Sequence, residues 1–366
     1  MQHTIIYQEA GRYAGWPANY GVWAWGDEIV AGFTVGFHNR EGGFHTRDRD
    51  RPFTTMQARS LDGGQTWQTQ PMPARTPGGR GLSADEHMRP DMGAGQVLAD
   101  EDAPVPCPGS TDFTHPDFAL MCARSGLRAG AVSWFYLSTD RCHTWQGPYH
   151  LPMFGQLGIA ARTDYLLFGP KEALLFLTAA KPNGDEGRVF CARTSDGGQT
   201  FQFVSWVCPE QEGFSIMPAS VRLANSRILT AARCRNRGRR DLGSEENWID
   251  LYASDDTGHT WQFLNRPVDN TGSGGNPPTL TVLQDGRLCL TYGYRDAPFG
   301  IRARLSDSQG QTWSDELVLR SDGGCHDLGY PRTVQRPDGK MVTVYYYNDH
   351  PDSERYLAAT IWRAES

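Results

Sequence analysis

The chain has 366 residues with 41 glycines, 23 prolines and 11% aromatic content, which suits one large domain of many turns and packed strands. A net charge of −7 excludes a broad basic face for nucleic acid, and no uncharged apolar run reaches membrane-spanning length. The opening MQHTIIYQEAGRYAGW has no apolar core of a secretion signal, so a cytoplasmic protein is expected.

HTIIYQ, near the start, is a strand expected to pair with YLAATIW near the end and so to cover two exposed sheet edges. The first alternating hairpin runs from Pro17, PANYGVWAWGDEIVAGFTVG, and a charged segment follows, HTRDRDRPFTTMQARS, holding Asp48 and Asp50. Residues 70–112, rich in Pro, Gly and Asp, read as an elaborated loop or lid. Further hairpins read PDFALMCARSGLRAGAVSWF, TDYLLFGPKEALLFLTAA, PASVRLANSRILTAARCR, PTLTVLQDGRLCLTYGYR and PRTVQRPDGKMVTVYYYN. Each has period-two alternation with β-branched and aromatic residues around a polar turn.

Between these hairpins an eight-residue phrase, S-x-D-x-G-x-T-W, recurs from Ser60, Ser138, Thr194, Ser254 and Ser306. Cys142 replaces the Gly in the second copy, Phe201 the Trp in the third and Ser308 the Asp in the fifth. Asp and Ser side chains close turns on nearby amides, Gly supplies a positive φ, and Trp returns the chain to the core. The starts lie 78, 56, 60 and 52 residues apart, the period of a four-stranded propeller blade. Five such turns and six hairpins predict an all-β, six-bladed propeller in one domain over residues 1–366, closed by the two chain ends.

The repeated phrase resembles the Asp box of the sialidase superfamily, and the six-bladed reading extends that resemblance over essentially the whole chain. The resemblance implies chemistry at the centre of the propeller: three arginines clamping a carboxylate, a Tyr paired with a Glu as nucleophile, and an acid/base Asp from the first blade. DLGYPRTV resembles the family's GYS-type segment and puts Tyr330 in the nucleophile's place. Other positions depart from the family. Gly15-Trp16-Pro17 stands where R-I-P would open, with Arg12 the nearest guanidinium, and Met217 stands where the Glu would be. Asp48 and Asp50 both lie at the distance of the acid/base, and Asp327, Glu186 and Glu212 are candidates for the missing base beside Tyr330.

Aligning the last three hairpins on Pro218, Pro278 and Pro331 puts Arg235 and Arg295 at the far end of second strands, on the funnel side, with Arg233 on the same strand face as Arg235. With Arg162 and Arg332 they form a candidate anion-binding cluster, because a guanidinium keeps its charge and grips a carboxylate with two bonds. His115 with Asp112 and Asp117, Asp164 and Asn276 head other strands and complete the candidate ring. No spacing suits a structural metal and no cofactor is expected. The eight cysteines lack C-x-x-C spacing; buried free thiols are expected at Cys122, Cys191, Cys234 and Cys289, while Cys107, Cys208 and Cys325 stay open.

The leading expectation is a glycoside hydrolase acting at a glycan terminus on an anionic sugar, with a carbohydrate partner and neither nucleic acid nor membrane. A cytoplasmic enzyme of this kind would receive short imported oligosaccharides. One alternative is a lyase on uronate-containing glycans using His115 and Tyr330. The other is a glycan-binding propeller without catalysis.

Overall fold

The computed structural model describes residues 1–77, 103–237 and 245–364. Six antiparallel sheets succeed one another along the chain, with a short 3-10 turn at Pro17–Asn19. This is a six-bladed β-propeller.

The sixth sheet shows how the ring closes. Gln2–Tyr7 forms its outermost strand, paired antiparallel with Tyr356–Arg363, so that His3 faces Thr360 and Thr4 faces Ala359. The strand that ends the chain would otherwise offer a row of unpaired backbone groups, and the strand that begins it covers that edge. The inner strands of this blade, Gly329–Gln335 and Lys340–Tyr347, then lead toward the axis.

All five repeated phrases occupy the turn between the third and outermost strands of their sheets. In the first, Ser60 Oγ accepts the Gly64 N–H, and Asp62 accepts the Thr66 N–H and hydroxyl. The copies at Ser138, Thr194 and Ser254 repeat these bonds. At Ser306 the Ser308 hydroxyl takes over the Asp role by accepting the Thr312 N–H, so the turn survives the substitution. Buried apolar side chains fill the spaces between neighbouring blades, as where Leu251, Leu288 and Leu290 meet.

Blade two departs from the sequence reading. Ala119–Arg124 pairs with Ser133–Ser138, and that strand leads into the repeated turn, so the hairpin from Pro116 contains the second and third strands of its blade rather than the first and second. Ala119–Arg124 is the inner edge among the described residues. Side chains of blade three satisfy its backbone there, since the Thr163 hydroxyl accepts the Cys122 N–H and the Tyr165 hydroxyl the Leu120 N–H. Of the expected lid, residues 78–102 lie outside the described residues. Its later part runs along the outer strand of blade two, where the Val105 N–H donates to the Pro148 carbonyl and the His150 N–H to the Val105 carbonyl, and not over the axis.

Candidate functional site

Trp16 directly follows the strand Arg12–Gly15, Met217 lies within Phe214–Arg222 and Tyr330 within Gly329–Gln335; each precedes a proline, and each has a left-handed backbone, with φ of 57°, 51° and 50°. That conformation costs a non-glycine residue about 1–2 kcal/mol. Pairing is interrupted at the same points, between Ile216 and Ala219 and between Gly329 and Arg332. The bulges turn the three side chains into one buried cluster at the axis, shared with Tyr13 and Tyr346.

Above this floor lie two connected lobes, one of about 840 Å³ and one of about 300 Å³, both bordered by His45, Arg233, Arg235 and Tyr330. Volumes of about 300–1,000 Å³ are usual for small-ligand sites. The smaller lobe is basic: Arg47, Arg128, Arg162, Lys181, Arg233 and Arg235 face only Asp185, Glu186 and Glu212. Glu245, Glu246, Asp269 and Asp296 balance the arginines of the larger lobe, and Phe44 shows it an aromatic ring.

Tyr330 sits where the lobes meet. Its hydroxyl accepts a hydrogen bond from Arg233 Nη1 at 3.1 Å, and Arg233 also lies 3.6 Å from the Met217 sulfur. The second terminal nitrogen of Arg233 donates to the Gly274 carbonyl, which Arg235 also reaches. Gly274 has φ +73°, and a Cβ there would strike the Phe44 ring at 2.3 Å, so only glycine lets this carbonyl serve both arginines. Arg295 is 1% exposed and donates to the Leu328 and Gly275 carbonyls and, at 2.6 Å, to the Tyr346 hydroxyl. Burial works against its charge, but neighbouring Tyr346, Tyr330 and Asp327 more than offset this and hold the guanidinium above its ordinary pKa. Arg162 is buried and ion-paired with Glu186 at 2.8 Å on the wall of the smaller lobe. The structure therefore places Tyr330, Arg233, Arg235, Arg295 and Arg162 around the two lobes.

Asp327 belongs to the site in a different role. It is fully buried and lies against Tyr346, whose hydroxyl donates to it at 2.8 Å, with the Tyr13 hydroxyl at 3.1 Å and Arg355 Nε at 3.0 Å. Its partner at the cavity is His45, with Nδ1 2.5 Å from Oδ1. Burial alone would raise the carboxyl, but His45, Arg355 and Arg295 outweigh it and hold Asp327 well below the usual carboxylate range. Asp327 thus orients His45 and makes no bond to Tyr330.

Several sequence candidates lie elsewhere. The backbone N–H of Asp50 bonds the Asp48 carboxylate in a local turn, and neither residue lines a lobe. The loop bends so that Phe44, His45 and Arg47 face inward instead. His115, Asp112 and Asp117 stand at the opposite end of blade two, because their segment leads into a second strand. There Asp117 pairs with Arg141 of a repeated turn at 2.6 Å, and Pro116 accepts the Trp25 indole N–H. Asp164 and Arg332 face a small cavity lined by inner-strand residues, apart from the two lobes. Asp164 accepts the Ser220 N–H and hydroxyl, and Arg332 donates to the Ala18 and Thr163 carbonyls, so both tie inner strands together. Asn276 is buried behind Tyr330 and binds its backbone, out of reach of a ligand. Arg12 lies over Phe37 and lines neither lobe.

His45 and Arg47 escaped the sequence reading. Both lie in the charged segment read for its aspartates, in a loop with no counterpart in the repeats. Arg47 is 3% exposed, its guanidinium lies 5.6 Å from the Trp16 ring centre, and its Nε and Nη1 have no hydrogen-bond partner among the described residues. No group of three or more His, Cys, Asp or Glu among the described residues is placed to hold a metal ion, and no helix among them is long and apolar enough to cross a membrane.

The fold has solved counterparts. A protein of unknown function from Dyadobacter fermentans aligns over 99% of this chain and 98% of its own, with a TM-score of 0.72 and 20% identity. The GH93 α-L-arabinofuranosidase of Fusarium graminearum, solved with arabinobiose, aligns over 99% and 98% with a TM-score of 0.64 and 12% identity. The NanB sialidase of Streptococcus pneumoniae aligns over 99% of this chain and 70% of its own, with a TM-score of 0.61 and 11% identity. At these identities the likeness is one of fold. No protein-family model and no curated protein matches the chain.

Proposed function

We propose that this propeller is a glycoside hydrolase that removes a terminal sugar bearing an anionic group, with Tyr330 as its nucleophile. The observation that carries the reading is the floor of the smaller lobe. There the Tyr330 hydroxyl accepts from Arg233, and buried Arg47 keeps two nitrogens without partners among the described residues. A buried guanidinium left in that state favours a ligand carboxylate or sulfate that supplies the missing acceptors. An anionic group beside the reacting carbon repels a carboxylate nucleophile, which gives a neutral phenol the advantage. The larger lobe, whose acids balance its arginines and where Phe44 is open to a sugar face, suits the remainder of the glycan. That solved propellers of this fold include an arabinofuranosidase and a sialidase agrees with the reading.

The test is release of sugar from chromogenic sialosides, glucuronides and α-L-arabinofuranosides and from uronate-containing oligosaccharides, with Tyr330→Phe as control. Release of an acidic sugar, lost in Tyr330→Phe, is the expected result. Release of neutral arabinose alone removes the anionic group from the proposal, and binding without release removes catalysis.

One observation favours elimination as a second reading. In this reading His45, backed by Asp327, is the base for a proton next to a uronate carboxylate, with Tyr330 as the acid; His115 cannot serve, since it stands at the other end of the blade. An unsaturated uronate product, absorbing in the near ultraviolet, selects this reading.

A further inference from the structure

We propose that His45 is the proton-transfer residue of the site, working as a base toward Tyr330, with Asp327 as its positioning residue. The inference rests on the hydrolase reading and supplies what that reading lacks, since Met217 occupies the position expected of the carboxylate partner of Tyr330.

The geometry is that of an oriented imidazole. Nδ1 of His45 faces Asp327 Oδ1 at 2.5 Å, and the Tyr13 hydroxyl lies 3.4 Å from the same nitrogen. Asp327 is saturated with donors: Tyr346, Tyr13, Arg355 and, at 3.3 Å, the Thr46 N–H. Because Arg355 already balances its charge, the carboxylate needs only the Nδ1–H of a neutral ring. That tautomer leaves the Nε2 lone pair toward the cavity, where Nε2 has no hydrogen-bond partner among the described residues. The ring is fixed on its other sides by Trp16, edge-on at 5.4 Å, and by Phe44 at 4.9 Å.

The charged and titratable groups around the ring come from four elements. They are Asp327 and Tyr346 of blade six with nearby Arg355, Tyr13 of the first inner strand, Arg47 of its own loop and Arg295 of blade five. Burial is the main influence on the imidazole and lowers its pKa; Asp327 pulls the other way, and Arg295 and Arg47 add to the lowering. A neutral ring at pH 7 is a proton acceptor.

In the first half of the reaction Tyr330 Oη bonds the anomeric carbon as the glycosidic C–O bond breaks. The phenolic proton passes to His45 Nε2 and from there to the departing oxygen. In the second half the oxygen of water takes the anomeric carbon from Tyr330, and a proton of that water passes through His45 to the phenolate oxygen, which restores both residues. Arg233, already donating to this oxygen, stabilises it while it carries charge.

Two measurements on the full chain test the assignment. The first is the pH–rate profile of wild type, His45→Gln and Asp327→Asn on the best glycoside of the panel above. His45→Gln should lose about 10²-fold or more in kcat. Asp327→Asn should keep measurable activity with the acid limb of its profile moved to lower pH, because the carboxylate that raises the imidazole pKa is gone. His45→Gln within threefold of wild type, or Asp327→Asn with an unmoved acid limb, overturns the proposal. The second measurement needs no turnover: ring ¹⁵N NMR of the histidines, assigned with His45→Gln. A neutral His45 ring protonated on Nδ1, titrating below ordinary histidine, is the expected result; a ring protonated on Nε2 overturns it. If wild type releases no sugar from any substrate, the hydrolase reading falls, and the NMR result still decides whether His45 is poised as a base.

Discussion

The side-chain amide of Asn276 holds the backbone of Tyr330 in place: Oδ1 accepts the Tyr330 N–H at 2.8 Å while Nδ2 donates to the Leu328 carbonyl at 2.9 Å. One buried side chain of blade five thus brackets the left-handed turn of blade six from both sides. Gly329, with φ +106°, completes the arrangement, because a Cβ there would lie 2.4 Å from the Asn276 amide. Replacing Asn276 by Ala leaves the buried Tyr330 N–H unpaired, while the Leu328 carbonyl keeps Arg295, and should cost about 1–3 kcal/mol, read from urea unfolding. The same variant should lower kcat more than it raises KM, since it releases the nucleophile's backbone and touches no ligand.

Arg233 spans two acceptors, the Tyr330 hydroxyl and the Gly274 carbonyl, and only a planar fork reaches both. Arg233→Lys keeps the charge and should still lose about tenfold or more in kcat/KM on whichever glycoside is cleaved. A Lys variant as active as wild type would mean that charge, and not the fork, is what Tyr330 requires.

Stability should fall on acidification in two stages of the same sign. His45 has a folded pKa lowered by burial, against 6.5 when unfolded, so the unfolded chain binds more protons as pH drops below about 6.5 and stability declines there. Asp327 has a folded pKa far below its unfolded value near 4, so its contribution is fully present above that value and is lost as pH falls through and below it. Each proton taken up on unfolding tilts stability by about 1.4 kcal/mol per pH unit. Denaturant melts of wild type and His45→Gln should differ in slope between about pH 4 and 6.5 and run parallel above.

Removal of residues 1–7 uncovers the edge strand Tyr356–Arg363. The truncated chain should melt at lower temperature and associate in size-exclusion chromatography, as bare edges do. A monomeric variant of unchanged melting temperature would show that the ring does not need this strand.

All eight cysteines are free thiols, and seven are buried, with Cys325 alone partly exposed beside Arg355. Burial raises the Cys122, Cys234 and Cys289 thiols far above their usual range. A thiol reagent should label one cysteine quickly in the native protein and all eight after unfolding; fast labelling of several would contradict the packing.

What the sequence determined by itself was whatever is written locally and repeatedly. Ser60, Asp62, Gly64 and Thr66 close their turn with their own atoms, so five copies announce five turns without any distant contact. Register then carried the reading to the centre. Once three hairpins were aligned on their prolines, the alternation of strand faces placed Arg233, Arg235, Arg295 and Tyr330 at the funnel, where the structure has them.

Only the tertiary structure decided the rest. His45 and Arg47 lie in a loop without a repeat, and their value comes from Asp327 and Trp16, far away in the chain or on another segment. The hairpin at His115 looked like the others until its pairing showed it to be one strand further out, which moved the residue to the other end of the propeller. Asp164, Asn276 and Arg332 have the polarity of ligands, but each is consumed by the backbone or side chains of a neighbouring blade. A polar residue on an inner strand serves either the ligand or the next blade, and its distance from that blade, which sequence spacing does not contain, determines which.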